Sequence, residues 1–173
     1  AAPAPNNELL EICKWVKSNT NAKVALHTNG GLQSPNYWSK LAKHVDWCAF
    51  AIDGLEDTNH LYRRNVKWKK VIGNAKAFIN AGGEAKWDFI VFKHNQHQVD
   101  SARQMSARLG FSEFNFKKTM RFLDKKHNFL DKQPVQNNLG EVEYYLEMPT
   151  IAKYVNNVAT DIQKIKSQYG SFH

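Results

Sequence analysis

The sequence predicts an α/β domain built on a parallel sheet of βα units. Three observations carry that prediction. Helix-like and strand-like patterns alternate in the order α-β-α-β-α-β-α-β up to about residue 116, with short links. Trp47 to Ile52 is an unbroken apolar run, as suits a strand covered on both faces. That run stops at Asp53-Gly54, followed by Glu56, Asp57, His60, Arg63 and Arg64. A carboxylate and a glycine thus stand at the carboxyl end of a buried strand, where α/β folds gather their chemistry.

The elements follow in order. Residues 7–19 place Leu9, Leu10, Ile12, Cys13 and Val16 near a helical period, with Asn6 or Asn7 as cap. Ala22 to His27 reads as a short strand ending at Thr28-Asn29-Gly30-Gly31. Ser34 caps a second helix and Pro35 opens it, with Tyr37, Trp38, Leu41 and Ala42 on its apolar face. After the Trp47–Ile52 strand, residues 67–81 set Trp68, Val71, Ile72, Ala75, Phe78 and Ile79 on one stripe, stopped by Gly82-Gly83. Glu84 to Phe92 is the third strand. Residues 97–109 form a helix with Val99, Ala102, Met105, Ser106 and Leu109 inward and Gly110 as its stop, and Phe111 to Phe116 is the fourth strand. Right-handed crossovers then bring all carboxyl ends of the strands to one side. Four βα units are too few to close a barrel, and a leading helix implies a strand before it, so the pattern reads as the middle of a larger sheet.

The rhythm stops after Arg121, which predicts two domains, 1–121 and a C-terminal extension 122–173. Residues 122–150 are polar and predict a long loop, or a short strand pair near Val142–Leu146. Residues 150–168 regain a helical period through Ile151, Tyr154, Val155, Val158, Ile162 and Ile165 and predict one amphipathic helix.

Composition narrows the function. The 173 residues are 42% hydrophobic and 12% aromatic, a globular balance with no membrane-length apolar run. The opening AAPAPNN lacks signal-peptide features and an initiator Met, so a processed product or a piece of a longer protein is expected. Net charge is +8, with tight groups at Lys67–Lys70, Lys117–Arg121 and Lys125-Lys126, which favours anionic partners without specifying one. Cys13 and Cys48 are far apart and read as small buried apolar residues in a reducing, cytoplasmic setting.

Read at their carboxyl ends alone, the strands offer His27-Thr28-Asn29-Gly30, Asp53-Gly54, Lys93-His94-Asn95 and Lys117-Lys118-Thr119. Such a mouth suits a ligand bearing carboxylate, amino and hydroxyl groups. Asp53 and Asn95 are expected to end adjacent strands and point into that mouth as surface groups whose removal leaves the fold intact. Asp53 would either order the loop bearing His60 and Arg63 or accept from a cofactor hydroxyl. No Gly-x-Gly-x-x-Gly or P-loop is present. His27, His94 and His97 could converge, but an i, i+3 histidine pair arises readily by chance, so no metal ligand is assigned on these residues. Cys48 sits in too apolar a context for an activated thiolate.

The succession HTNG, FAIDG with YRR, GGEAKWDFIVFKHN and LGFSEFNFKKT resembles the radical S-adenosylmethionine (radical SAM) superfamily over residues 8–121. The likeness is to the branch that holds the molybdenum-cofactor cyclase and the peptide-modifying maturases. It implies a partial (β/α)6 TIM-like barrel, a [4Fe-4S] cluster and S-adenosylmethionine as cofactors, and a 5′-deoxyadenosyl radical that abstracts hydrogen from an unknown substrate, a peptide or small molecule. It also implies an electron donor such as flavodoxin or ferredoxin. Carried over by position, Thr28, Asn29, Asp53 and Asn95 become cofactor-binding, and Lys86 and Arg63 substrate-binding; no catalytic residue is assigned. Ala51 stands where many members have a serine that touches the cofactor. The cluster motif C-x-x-x-C-x-x-C and the G-G-E-P-like segment are missing, so the cluster ligands are expected outside this sequence, in a part N-terminal to it, and this fragment alone is expected to be inactive. No Cys-rich extension supports auxiliary clusters.

Two other readings compete. A basic binding module could hold RNA or another polyanion through Lys117, Lys118, Arg121, Lys125 and Lys126; it explains the charge but not the polar strand ends, and exposed aromatics interleaved with lysine are not evident. A non-catalytic relative of the fold is the third.

Overall fold

A computed structural model describes residues 8–122 and 130–156 of the chain. These fall into two compact units, one of residues 8–90 and 97–116 and one of residues 91–96, 117–122 and 130–156.

The first unit holds the alternating βα pattern. Its elements are α1 (Leu9–Asn19), β1 (Ala25–Thr28), α2 (Pro35–Leu41), β2 (Trp47–Ala51), α3 (Asn59–Tyr62), α4 (Trp68–Asn80), β3 (Ala85–Val91), α5 (Val99–Leu109) and β4 (Glu113–Lys118). The strands lie in the order β1-β2-β3-β4. β1 pairs parallel to β2 with Ala25 opposite Trp47, and β2 parallel to β3 with Cys48 opposite Ala85. Sequential order follows from helical crossovers of one hand between neighbouring strands.

Strand alternation divides the side chains between two faces. On one face Phe50, Trp87 and Phe89 are fully buried. Phe50 meets Trp38 of α2 at 5.1 Å, Phe78 of α4 at 5.8 Å and Phe111 at 6.1 Å between ring centroids. Trp87 meets Phe111 at 5.2 Å and donates its indole N–H to the Ile52 carbonyl at 2.8 Å. Each such aromatic contributes roughly 1.5–3 kcal/mol by burial. This is the core, and it forms where the periodicity places Val71, Ala75 and Phe78 inward.

Helix starts obey local chemistry. The Ser34 hydroxyl accepts from the Tyr37 N–H, and Pro35 occupies the first turn of α2, as the sequence predicts. At α1 the expected caps Asn6 and Asn7 lie outside the described residues, and Glu8 at the cap position makes no side-chain cap bond. The Asp46 carboxylate accepts from the Val24 N–H and pairs with Lys17 and Lys23, which ties α1 to the starts of β1 and β2. The expected Ala22–His27 strand starts only at Ala25, and the expected Phe111–Phe116 strand runs over Glu113–Lys118. Residues expected as a plain loop after β2 contain the short helix α3. A 3-10 turn, Gln96–Gln98, precedes α5, which stops at Gly110 as predicted.

The second unit contains an antiparallel pair, β5 (Lys132–Gln136) and β6 (Val142–Glu147), the strand pair allowed for by the sequence. Here the expected boundary at residue 121 is corrected. The turn after β3 belongs to this unit because the Lys93 N–H donates to the Glu147 carbonyl, the Lys93 ammonium pairs with the Glu147 carboxylate, and Gln96 bonds Thr150. The predicted helix over 150–168 is also corrected at its start. Ala152–Tyr154 is a single 3-10 turn that buries Tyr154, followed by extended backbone at Val155. Residues 157–168 of that prediction lie outside the described residues.

Candidate functional site

The face of the sheet opposite the aromatic core is polar. His27 of β1, Ala49 of β2 and Lys86 of β3 share one row of the register, and Ala51 and Asp88 share the next row on that face. Alanine at both β2 positions leaves room for side chains to reach over the central strand. The His27 Nδ1 atom lies 3.6 Å from an Asp88 carboxylate oxygen, across β2. Lys86 stands over the Trp47 ring at 4.9 Å and pairs with Glu113 at 3.0 Å and Glu84 at 3.6 Å. The hydrogen bond to Glu113 raises the Lys86 pKa, and the Asn115 amide and Lys86 hold Glu113 below its usual range. Lys86, expected to meet substrate, is therefore on the polar face and engaged with carboxylates. Asp88 was not singled out by the sequence; the alternation of Lys86 and Asp88 with Trp87 and Phe89 is the signal for it.

At the end of β1, Thr28 and Asn29 fold their own loop. The Thr28 hydroxyl oxygen accepts from the Gly30 N–H at 2.9 Å, and the Asn29 side-chain oxygen accepts from the Gly31 N–H at 3.0 Å. The Thr28 O–H and the Asn29 amide N–H₂ remain as donors. Gly30 has φ +65°, and a Cβ there would meet the Phe50 ring at 2.9 Å, so only glycine fits. Asn74 of α4, fully buried, donates to the Gly30 and Leu32 carbonyls at 2.8 and 3.1 Å. It fixes the loop and was missed, although it falls on the stripe of Val71, Ala75 and Phe78.

At the end of β2, Asp53 is completely buried rather than a surface group. One carboxylate oxygen accepts from the Ile90 N–H at 2.6 Å and the other from Arg63 Nε, while the Asp53 N–H donates to the Asn59 side chain at 2.9 Å. Asp53 thus orders the loop that bears His60 and Arg63. Arg63, expected to bind substrate, also lies over the Tyr62 ring at 5.1 Å. Gln98 closes the same loop: its side-chain oxygen accepts from the Leu55 N–H and the Thr58 hydroxyl, and its N–H₂ donates to Asp57. Asn59 and Gln98 carry no motif that would have announced these roles.

In the second unit, Asn95 is buried and accepts from the Phe92 N–H at 2.7 Å, shaping the turn after β3. The expectation that Asp53 and Asn95 are dispensable surface groups is therefore overturned by their burial and backbone bonds. Lys117, Lys118 and Arg121 are exposed, and Lys125 and Lys126 lie outside the described residues.

No three His, Cys, Asp or Glu side chains among the described residues come together as a metal site. His27 and His97 are exposed. Cys13 and Cys48 are buried and unpaired; burial raises the Cys13 thiol and pushes Cys48 up to about 12. Neither is a ready thiolate ligand. Among the described residues no helix is long and apolar enough to cross a membrane.

No family model and no curated protein matches the chain. The fold is similar to that of SuiB from Streptococcus suis, known from a crystal structure, with a TM-score of 0.52 and 18% identity. The match covers 70% of this chain and 28% of SuiB, so this chain spans well under half of SuiB's length. At that identity the likeness is one of fold.

Proposed function

We propose that these residues form the later βα units of a radical SAM enzyme, with the polar sheet face lining the interior of a partial (β/α)6 barrel. The observation that carries the reading is the one-sided sheet. A parallel sheet normally has both faces covered, yet here one face is aromatic core and the other bears His27, Lys86, Asp88 and Glu113 over two alanines. An interior face that meets a polar ligand accounts for that asymmetry. Among the described residues β1 is a sheet edge, so a further parallel strand has a place to pair.

The residues present do not fit the iron–sulfur cluster. The sequence has two cysteines, both buried, and no cluster-forming spacing. In this proposal the cluster ligands lie outside these 173 residues, and no step is assigned to the cluster here. When bound beside such a cluster, S-adenosylmethionine supplies the carbon radical that takes hydrogen from substrate. The residues of this chain do the holding. Thr28 and Asn29 offer donors at the mouth, Asp53 and Arg63 set the loop after β2, Asn95 shapes the turn after β3, and Lys86 with Glu113 presents paired charge to substrate.

The test is the complete reading frame and its product. It should encode C-x-x-x-C-x-x-C, and the anaerobically reconstituted protein should form 5′-deoxyadenosine. Thr28→Ala with Asn29→Ala should slow that formation about tenfold, the loss of one or two hydrogen bonds to a cofactor, with a fall in melting temperature no larger than the loss of the two loop bonds to Gly30 and Gly31 accounts for. A complete frame without those cysteines, or a stoichiometric four-iron cluster on this chain alone, would overturn the proposal.

A further inference from the structure

The loop after β1 contains the sequence's single Asn-Gly pair, Asn29-Gly30. Such a pair has a chemistry of its own. The peptide nitrogen that follows an asparagine can attack the side-chain amide carbon, and glycine, with no Cβ in the way, gives the easiest approach. Asn29 is exposed just past the end of β1, where water reaches its carboxamide. Replacing the glycine is not open to this fold, because Gly30 has φ +65° and a Cβ there would meet the Phe50 ring at 2.9 Å.

The loop instead holds each reacting group. The attacking nitrogen is that of Gly30, and its N–H donates to the Thr28 hydroxyl oxygen at 2.9 Å. The Asn29 side-chain oxygen accepts from the Gly31 N–H at 3.0 Å, which fixes the carboxamide. The Gly30 carbonyl accepts from the amide of the fully buried Asn74 at 2.8 Å. Ring closure needs the Gly30 peptide to lose its proton and swing toward the Asn29 side chain. These bonds oppose that motion, and Thr28 opposes it most directly, since its oxygen engages the proton that has to leave.

We propose that Asn29-Gly30 is a spontaneous modification site, held in check by the Thr28 hydroxyl and the Asn74 amide, which reacts only when the loop opens. The Gly30 nitrogen bonds to Cγ of Asn29. The side-chain nitrogen leaves as ammonia, taking up the Gly30 proton, and a succinimide remains. Water then opens that ring to aspartate or isoaspartate, with no change in oxidation state. A carboxamide with two N–H donors becomes a carboxylate that only accepts. The strand end gains a negative charge and, in the isoaspartyl form, a backbone longer by one carbon. The proposal is independent of radical chemistry.

The experiment is incubation of the 173-residue protein in mildly alkaline buffer. Peptide mass spectrometry follows the exchange of ammonia for water at Asn29, and methyltransferase labelling identifies isoaspartate. A synthetic peptide of residues 25–33 is the unguarded reference. The native chain should react at least about tenfold more slowly than the peptide, because the loop bonds must break before the ring can close. Thr28→Val keeps the shape of the side chain and removes the hydroxyl. It should speed the reaction of the folded chain about fivefold and leave that of the matching peptide unchanged. Thr28→Ser should restore the native rate. Phe89→Leu, which loosens the core two strands away, should leave the rate near the native one. A native chain that reacts as fast as the peptide overturns the guarded loop, and this comparison stands even if Thr28→Val fails to fold. A folded Thr28→Val chain that keeps the native rate overturns the role of the hydroxyl. Equal acceleration by Phe89→Leu overturns opening of the loop in favour of opening of the domain. No reaction in the peptide overturns the site itself.

Discussion

On one face of the parallel sheet Phe50, Trp87 and Phe89 are sealed against helices; one residue along, on the other face, Lys86 pairs with the exposed Glu113 and His27 stands 3.6 Å from the Asp88 carboxylate. The same strands make both faces. What differs is what each face can lose. Apolar contacts in a dense core are hard to replace, whereas charges on an open face are screened and contribute little to folding. Fold and chemistry are therefore separable at single-residue spacing, and substitutions on alternate residues should report them separately.

The largest effect is expected at Phe50→Ala. It empties the space between Trp38, Phe78 and Phe111 and should cost about 3–5 kcal/mol in urea unfolding. A cost under about 1 kcal/mol would mean that the aromatic face is not the core. Asp53→Ala comes next, at about 3 kcal/mol, because it strands Arg63 and frees the Ile90 N–H. Adding Arg63→Met should return part of that loss. Strict additivity of the two would show that the pair is not coupled.

Asp46 gives a smaller, pH-dependent effect. The Val24 N–H first, then Lys17 and Lys23, hold its carboxyl well below the usual carboxylate range. Since the folded-state pKa is the lower one, this stabilisation is complete above the unfolded-state value near pH ~4. It is lost as the pH falls through the folded-state value. Asp46→Asn should therefore flatten the acid limb of a melting-temperature profile and leave the slope near neutrality alone. The smallest effect on stability is expected from Lys86→Met, which should scarcely move the melting temperature and, on the function proposed above, should reduce 5′-deoxyadenosine formation by the product of the complete reading frame. A large drop in melting temperature would make the polar face structural after all.

Much of this architecture is legible in the sequence, and the boundaries show why. Ser34-Pro35 announces α2, and the run from Trp47 to Ile52 announces the central strand, because both signals are local. The helix expected over 150–168 fails at its start: Ile151 and Tyr154 keep a helical spacing, but Tyr154 is buried by a 3-10 turn tied to Gln96 through Thr150 and Ile151. Periodicity cannot see that long-range bond. The candidate site divides the same way. Thr28, Asn29 and Asp53 stand at strand ends as expected, but their first partners are backbone groups of their own loops or a neighbouring strand. Asn74 and Gln98 stay hidden because a polar residue in a helical pattern ordinarily reads as solvated.

The burial of Cys48 gives the chain a built-in clock. Its thiol lies in the central strand, closed to water, with a pKa of about 12, so almost none of it is thiolate at neutral pH. An alkylating reagent can reach it only when the packing on the aromatic face of β2 opens. The rate of Cys48 modification in native buffer therefore counts openings of that core, while Cys13, on the buried side of α1, counts departures of that helix. Two cysteines with no assigned chemistry thus time two different ways in which the molecule comes undone.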